Sequence, residues 1–133
     1  MIKYYERIYY EHTDATEFVY HTNYLKFMER ARTEWLDSLG FSQRILKQTH
    51  DIFFVVKSAN INFIKPAKLD DILTLTMREL RLKKASLKIT QEISIESDQT
   101  ICRAEFLLAC LSTFSFSPVK IPQQILEAIE NVG

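Results

Sequence analysis

The chain has 133 residues, 47% apolar and 12% aromatic, with 17 basic and 17 acidic side chains. That richness in apolar residues excludes intrinsic disorder, and zero net charge leaves no basic footprint for nucleic acid. Glycine occurs only 2 times, where ordinary usage would give about nine, so a glycine-rich phosphate loop of the Walker or dinucleotide-binding type cannot be built.

Residues 2–10 carry β-formers at Ile2, Tyr4, Ile8, Tyr9 and Tyr10 and predict a first strand. A polar stretch follows from Glu11 to Glu17. Thr22 and Asn23 are good helix N-caps, and from Tyr24 the apolar positions Phe27, Met28, Ala31, Trp35, Leu36 and Leu39 fall at helical spacing. Gly40 stands where a C-cap glycine belongs. Ser42 then caps a short second helix reaching about Lys47.

Beyond that the period becomes two. Strands are predicted over 52–65, 71–82, 86–96 and 100–116. The third of these puts Leu87, Ile89, Ile93 and Ile95 on one face and Ser86, Lys88, Thr90, Glu92 and Ser94 on the other, as an antiparallel strand with one wet face does. The apolar centre of the last, Phe106–Leu111, points to burial on both sides or to an interface. Pro122 opens a C-terminal helix with Ile125, Leu126 and Ile129 as its apolar side. The order is strand, helix, short helix, four strands, helix: a single α+β domain over residues 1–133, with a five-stranded antiparallel sheet curling around one long helix.

Cys102 and Cys110 share a strand face but are separated by about 26 Å of extended chain, too far for a disulfide. With no apolar leader at the N-terminus and no run long enough to span a bilayer, free buried thiols in a cytoplasmic protein are expected. No Cys/His cluster has metal-ligand spacing, so neither metal nor cofactor is called for.

The chemistry-bearing cluster runs from Tyr9 to Tyr24. It packs three carboxylates (Glu11, Asp14, Glu17), two histidines (His12, His21) and several tyrosines between a strand and a helix N-terminus. Unpaired N–H groups and the helix dipole suit a developing oxyanion there, and a nearby carboxylate can serve as base or nucleophile.

The runs Tyr9-Tyr10-Glu11-His12-Thr13-Asp14, Val19-Tyr20-His21-x-Asn23-Tyr24-Leu25 and Glu29-Arg30-Ala31-Arg32 resemble the hotdog-fold acyl-CoA thioesterases. The likeness is greatest to the branch encoded with the Tol-Pal system (YbgC type), a relative of 4-hydroxybenzoyl-CoA thioesterase. It continues through Phe54-Val55-Val56 and Pro66-Ala67-x-Leu69-Asp70-Asp71 and covers nearly the whole chain. The resemblance implies a hotdog fold and hydrolysis of an acyl-CoA to free acid and CoA without a cofactor. It puts the essential aspartate at Asp14, an active-site tyrosine and histidine at Tyr10 and His21, and the oxyanion donor at the His21 amide. CoA phosphates would be gripped by Lys83 and Lys84 in the loop between the third and fourth strands. A homodimer or homotetramer is implied, with acyl-carrier protein as an alternative acyl donor.

The chain departs from the family where glycines usually follow the aspartate, carrying Thr16 and Glu17 instead, and where an aspartate precedes the Thr-Asp pair, carrying His12. A glycine at position 17 would serve a backbone with φ > 0, which glutamate tolerates poorly, so the loop here has either rearranged or stores strain; if Glu17 and Asp14 both face the site, like-charge repulsion would raise the pKa of Asp14, making Glu17 a site modulator. His12 and His50 read as loop residues. The Thr16-Glu17 change also admits a different class: a hotdog protein that binds an acyl group or acyl carrier without turning it over.

Overall fold

A computed structural model describes residues 3–96 and 99–132. Its elements are β1 (Lys3–Arg7), a 3₁₀ turn (Tyr10–His12), α1 (Thr22–Ser38), α2 (Gln43–His50), β2 (Ile52–Phe63), β3 (Ile72–Leu82), β4 (Ser86–Ile95), β5 (Gln99–Ser112) and α3 (Gln123–Val132). The five strands form one antiparallel sheet in the order β1-β3-β4-β5-β2, so β1 and β2 are its edges.

Helix α1 lies on one face of this sheet. Its buried stripe of Tyr24, Phe27, Met28, Ala31 and Trp35 meets Leu73 and Leu75 of β3, Ile89 and Ile93 of β4, and Ile101 and Phe106 of β5. Truncating a buried aromatic such as Phe27 or Trp35 costs about 3–5 kcal/mol in cores of this kind. The helix ends as the glycine predicts. Gly40 takes φ +90°, its N–H donates to Asp37 O, and Phe41 N–H donates to Leu36 O, which together close a Schellman motif. Ser42 accepts from Ile45 N–H at 3.2 Å and caps α2. Along α3, Ile125 and Ile129 are buried.

The boundaries correct the sequence reading in several places. Strand β1 stops at Arg7 rather than Tyr10, and Ile2 lies outside the described residues. The reason is local: Ile8 exchanges hydrogen bonds with the 70–71 turn (Ile8 N to Asp71 O, Asp70 N to Ile8 O), and the chain then coils into the 3₁₀ turn. Thr22 and Asn23 do not cap α1. The backbone is already helical at His21 (φ −56°, ψ −31°), and the Asn23 amide points backwards to His12 O at 2.9 Å. Helix α2 runs past Lys47 to His50 and ends at left-handed Asp51. Strand β5 ends at Ser112, not residue 116, because the Ser112 hydroxyl accepts from the amides of Phe114 and Ser115 and turns the chain. Within Phe106–Leu111 the inward residues Phe106, Leu108 and Cys110 are core, while Leu107, Ala109 and Leu111 lie half-buried on the outward face, so this stretch is not buried on both sides.

The inward face of β4 also holds a residue the alternation does not advertise. Gln91 sits between Ile89 and Ile93 with no exposure at all. Its Nε2 donates to Met28 O at 3.1 Å, and its Oε1 accepts from the Arg32 guanidinium at 2.9 Å. Arg32 is itself buried, stacks 4.3 Å over the Phe106 ring and has a pKa lowered by desolvation. On the other face, Thr90 is buried, so that side of β4 is less wet than its composition implies.

Candidate active site

The segment between β1 and α1 folds back on itself. Thr13 and Val19 form an isolated antiparallel bridge, Asp14 N–H donates to Phe18 O at 3.1 Å, and Glu17 N–H donates to Asp14 O at 2.9 Å. Asp14 occupies the tip of this small loop. Its Oδ1 accepts from Thr16 N–H at 2.8 Å and from the Thr16 hydroxyl, an Asx turn in which Thr16 supplies both donors. These bonds, first the hydroxyl and then the amide, hold the Asp14 carboxyl below its ordinary value, and His21 adds a smaller pull in the same direction.

Glu17 has φ +72°, so of the two outcomes open for this loop it has kept the strained left-handed backbone. The Asp14 carboxyl is shifted down by the Thr16 donors, and Glu17 is not among the groups that shift it.

The loop leads directly into α1. The amides of His21 and Thr22 lie ahead of the first turn bonds, which run from Asn23 N to Tyr20 O and from Tyr24 N to His21 O. The His21 ring is exposed, tilted against Tyr20 at 4.8 Å and edge-on to Phe63 at 5.8 Å. Phe63, at the end of edge strand β2, is half exposed and also meets Tyr24. Asp14, His21 and Phe63 are thus all exposed, with the His21 ring against the apolar Phe63. Tyr10 belongs to the same segment, but its side chain is 81% exposed; its carbonyl is what the loop uses, accepting from Thr13 N–H and hydroxyl.

His12 is not the plain loop residue its sequence context suggests. It is buried, its Nδ1 accepts from Tyr9 N–H at 2.9 Å, and its ring meets Phe27 edge-on at 5.0 Å. The signal available in the sequence was its position three residues after Tyr9, the spacing of a side chain that closes one turn.

Lys83 and Lys84 part company. Lys83 lines a cavity of about 410 Å³ with Arg81, Lys88, Ser58, Asn60 and Glu105, on the face of the sheet turned away from α1. Lys84 is not among its lining residues; its carbonyl accepts from Ile121 N–H at 2.8 Å and anchors the chain entering α3. Arg81 and Lys88 are the cations that loop-based reasoning missed. Strand alternation could have found them, because Arg81 and Lys83 are two apart and Arg81 pairs with Lys88 across the β3–β4 ladder.

Cys102 and Cys110 are free and buried, with thiols pushed up to about 11 by desolvation. Among the described residues no group of three or more His, Cys, Asp or Glu side chains could hold a metal ion. No helix among them is long and apolar enough to cross a membrane.

A family model for the thioesterase superfamily matches residues 16–102. The chain is similar to the acyl-CoA thioesterase YbgC of Haemophilus influenzae, 36% identical over 126 residues that cover 95% of this chain and 92% of that protein. It is likewise similar to the acyl-CoA thioester hydrolase YbgC of Escherichia coli, 37% identical over 120 residues and covering 90% and 89%. Among solved structures, a 1,4-dihydroxy-2-naphthoyl-CoA thioesterase from Synechocystis superposes with a TM-score of 0.90 at 25% identity, covering 98% of this chain and 96% of that one.

Proposed function

Because the chain belongs to the thioesterase superfamily, we propose that it hydrolyses acyl-CoA thioesters to a carboxylic acid and CoA, as one domain spanning residues 1–133. The observation that carries this reading is the Asp14 carboxylate, held ionised by Thr16 on the loop that feeds the N-terminus of α1 at His21. The thioester carbonyl oxygen would take the His21 amide and the positive end of the helix dipole, which favour negative charge as it develops.

Asp14 then has two routes. It can attack the carbonyl carbon, expelling CoA thiolate to leave a mixed anhydride that water cleaves; or it can take a proton from the attacking water. Thiolates leave readily near neutral pH, so no strong general acid is required. A carboxylate shifted below its ordinary value is both a weaker proton acceptor and a weaker nucleophile, and at neutral pH it is ionised, as either route requires. Tyr10, exposed beside the loop, is assigned to substrate contact.

For CoA, Lys83 is the assigned phosphate contact, joined by Arg81 and Lys88 around one cavity; Lys84 has the weaker claim. We further propose a homodimer or homotetramer in the cytoplasm, with the free edge of β2, where Val56 and Phe63 are exposed, as the apolar surface that assembly would cover. Acyl-CoA is the proposed substrate, and delivery from an acyl-carrier protein is the other donor consistent with the same site.

The deciding experiment incubates the protein with a panel of aliphatic and aromatic acyl-CoAs and measures released thiol. Turnover is expected, and Asp14→Asn should lower kcat by about 10²–10⁴-fold with the fold intact. Saturable binding of acyl-CoA without thiol release by the unaltered protein would overturn hydrolysis in favour of an acyl-binding protein.

A further inference from the structure

His12 ties together the two halves of the candidate site. Its carbonyl accepts from Tyr20 N–H at 2.9 Å and from Asn23 Nδ2 at 2.9 Å, the residues on either side of the His21–Thr22 helix start. Its Nδ1 accepts from Tyr9 N–H at 2.9 Å and so supplements the backbone bond from His12 N–H to Tyr9 O at 3.0 Å that closes the Tyr10–His12 turn. Phe27 of α1 packs edge-on against the ring at 5.0 Å, and Tyr9 stacks on it at 5.9 Å. Asp14 lies two residues further along the same chain. His12 thus joins the segment leading to Asp14 to the start of α1, alongside the Thr13–Val19 bridge and the Asp14 N–H to Phe18 O bond.

We infer that His12 is a positioning residue for the Asp14–His21 pair, and that only its neutral imidazole holds the arrangement, so the site loosens when His12 takes a proton. The inference rests on the hydrolase reading of that site.

The chemistry follows from the ring nitrogens. A neutral imidazole has one lone pair and one N–H. With Nδ1 accepting from Tyr9, the proton must sit on Nε2. A second proton can only go to Nδ1, where it sets N–H against N–H, removes the side-chain bond that braces the turn and charges a ring that is 7% exposed. The groups facing the ring are few. Glu11, on the same turn, has Oε1 3.8 Å from Nε2 and favours the cation. Lys26 and Arg30 of α1 line the same small cleft and oppose it, as does Arg7, which lies over the Tyr9 ring. Misplacing a carboxylate by an ångström relative to its oxyanion donor costs turnover rather than substrate binding, so kcat is the parameter to follow.

The test measures kcat and KM for an acyl-CoA substrate between about pH 8 and pH 5.5, the range that spans histidine protonation. It compares the unaltered protein with His12→Asn, whose Oδ1 can accept from Tyr9 N–H without titrating, and His12→Ala, which has no acceptor. Two-dimensional NMR of the Tyr9 and Tyr20 amides is recorded on the same three proteins. The unaltered protein should lose at least about fivefold in kcat across the range with KM within about twofold, while the Tyr9 amide shifts and loses exchange protection. His12→Ala should lower kcat about tenfold or more at pH 8. His12→Asn should recover most of that loss, with a kcat that changes less than about twofold between the two pH values and a Tyr9 amide that no longer titrates.

A His12→Asn protein that keeps the original acidic fall would overturn the inference and assign the fall to another group, such as His21. Full kcat in His12→Ala would do the same. If the unaltered protein cleaves no acyl-CoA, the hydrolase reading fails on its own, and the amides still decide the structural claim: a Tyr9 amide indifferent to pH refutes it, and one that titrates only when His12 is present supports it.

Discussion

Among the described residues, replacing the wholly buried Gln91 with leucine removes the one hydrogen-bond acceptor of the largely buried Arg32 guanidinium, at 2.9 Å. A hydrogen bond to a charged group contributes about 1.5–3 kcal/mol, and breaking a buried charged contact by removing one partner raises the cost, because the remaining charge stays desolvated. The bond from Gln91 to Met28 O disappears as well, though that carbonyl lies within α1 and has the helical ladder to fall back on. Together these give a loss of about 3–4 kcal/mol for Gln91→Leu, a large part of the roughly 5–15 kcal/mol that stabilises a domain. Removing both partners should cost less than removing one. Arg32→Met combined with Gln91→Leu leaves no orphaned charge and forfeits chiefly the cation–π contact with Phe106, worth about 1–2 kcal/mol. Urea unfolding followed by fluorescence of Trp35, the sole tryptophan and almost fully buried, reads both variants at one fixed protein concentration. The reasoning is refuted if Gln91→Leu costs under about 1 kcal/mol, or if the double variant is no more stable than Gln91→Leu alone.

Other outcomes follow from the same structure. Glu17→Gly should raise stability by up to about 1 kcal/mol in the same urea assay, by relieving a left-handed glutamate at φ +72°. Glu17→Gln should leave the kcat/KM–pH profile unmoved, since Asp14 is set by Thr16; a shift of the acidic limb would reinstate Glu17 as a modulator. A folded carboxyl held below its unfolded value stabilises the loop above the unfolded pKa and loses that contribution as pH falls through the folded one. The Asp14 contribution should therefore vanish only below about pH 4, which an acid titration of the Thr16 amide would follow. Changing Arg81 and Lys83 together to Ala should raise KM for acyl-CoA several-fold and leave a pantetheine thioester, which lacks the nucleotide, nearly unaffected; equal losses on both would remove the cavity from CoA binding. Light scattering at micromolar concentration should return a multiple of the 15.7 kDa chain mass, and a value near 16 kDa would refute assembly.

Regular elements were legible because their physics is local. The period of two in β4, the helical stripe of α1, Gly40 past its end and Ser42 before α2 all state in a few residues what the fold then uses. The loop from Ile8 to His21 was legible as a candidate site and not as a shape. Tyr9 and Tyr10 are good β-formers, but the main-chain partners of Ile8 lie at Asp70 and Asp71, more than sixty residues away, and they end the strand early. Thr22 and Asn23 looked like caps because the type of residue is right; the structure spends Asn23 on His12 O instead. Gln91 broke an apolar face for a reason visible only from Arg32 on another element, and the reach of Lys83 without Lys84 depended on which side of the hairpin each one took. The downward displacement of the Asp14 carboxyl follows from Thr16, one of the two residues whose presence admits the reading of an acyl-binding protein without turnover.

The turn at residues 66–71 has no chemistry of its own, yet the site leans on it. Val19 N–H donates to Ala67 O at 2.8 Å, the Tyr24 hydroxyl accepts from Ala67 N–H at 2.9 Å, and Ile8 and Asp71 join at 2.9 Å. Those bonds reach the entry of the loop, its return and the first turn of the helix it feeds. Ala67 is wholly enclosed, and Asp70 takes a left-handed φ of +72°. The turn thus acts as a keystone for a cassette of about seventeen residues, Ile8 to Tyr24, that is otherwise closed by its own bonds. A transplant of that cassette onto a related scaffold has to carry residues 66–71 with it. Conversely, a change at Ala67, some fifty residues from Asp14 in sequence, is a way to disturb the site without touching any residue assigned to it.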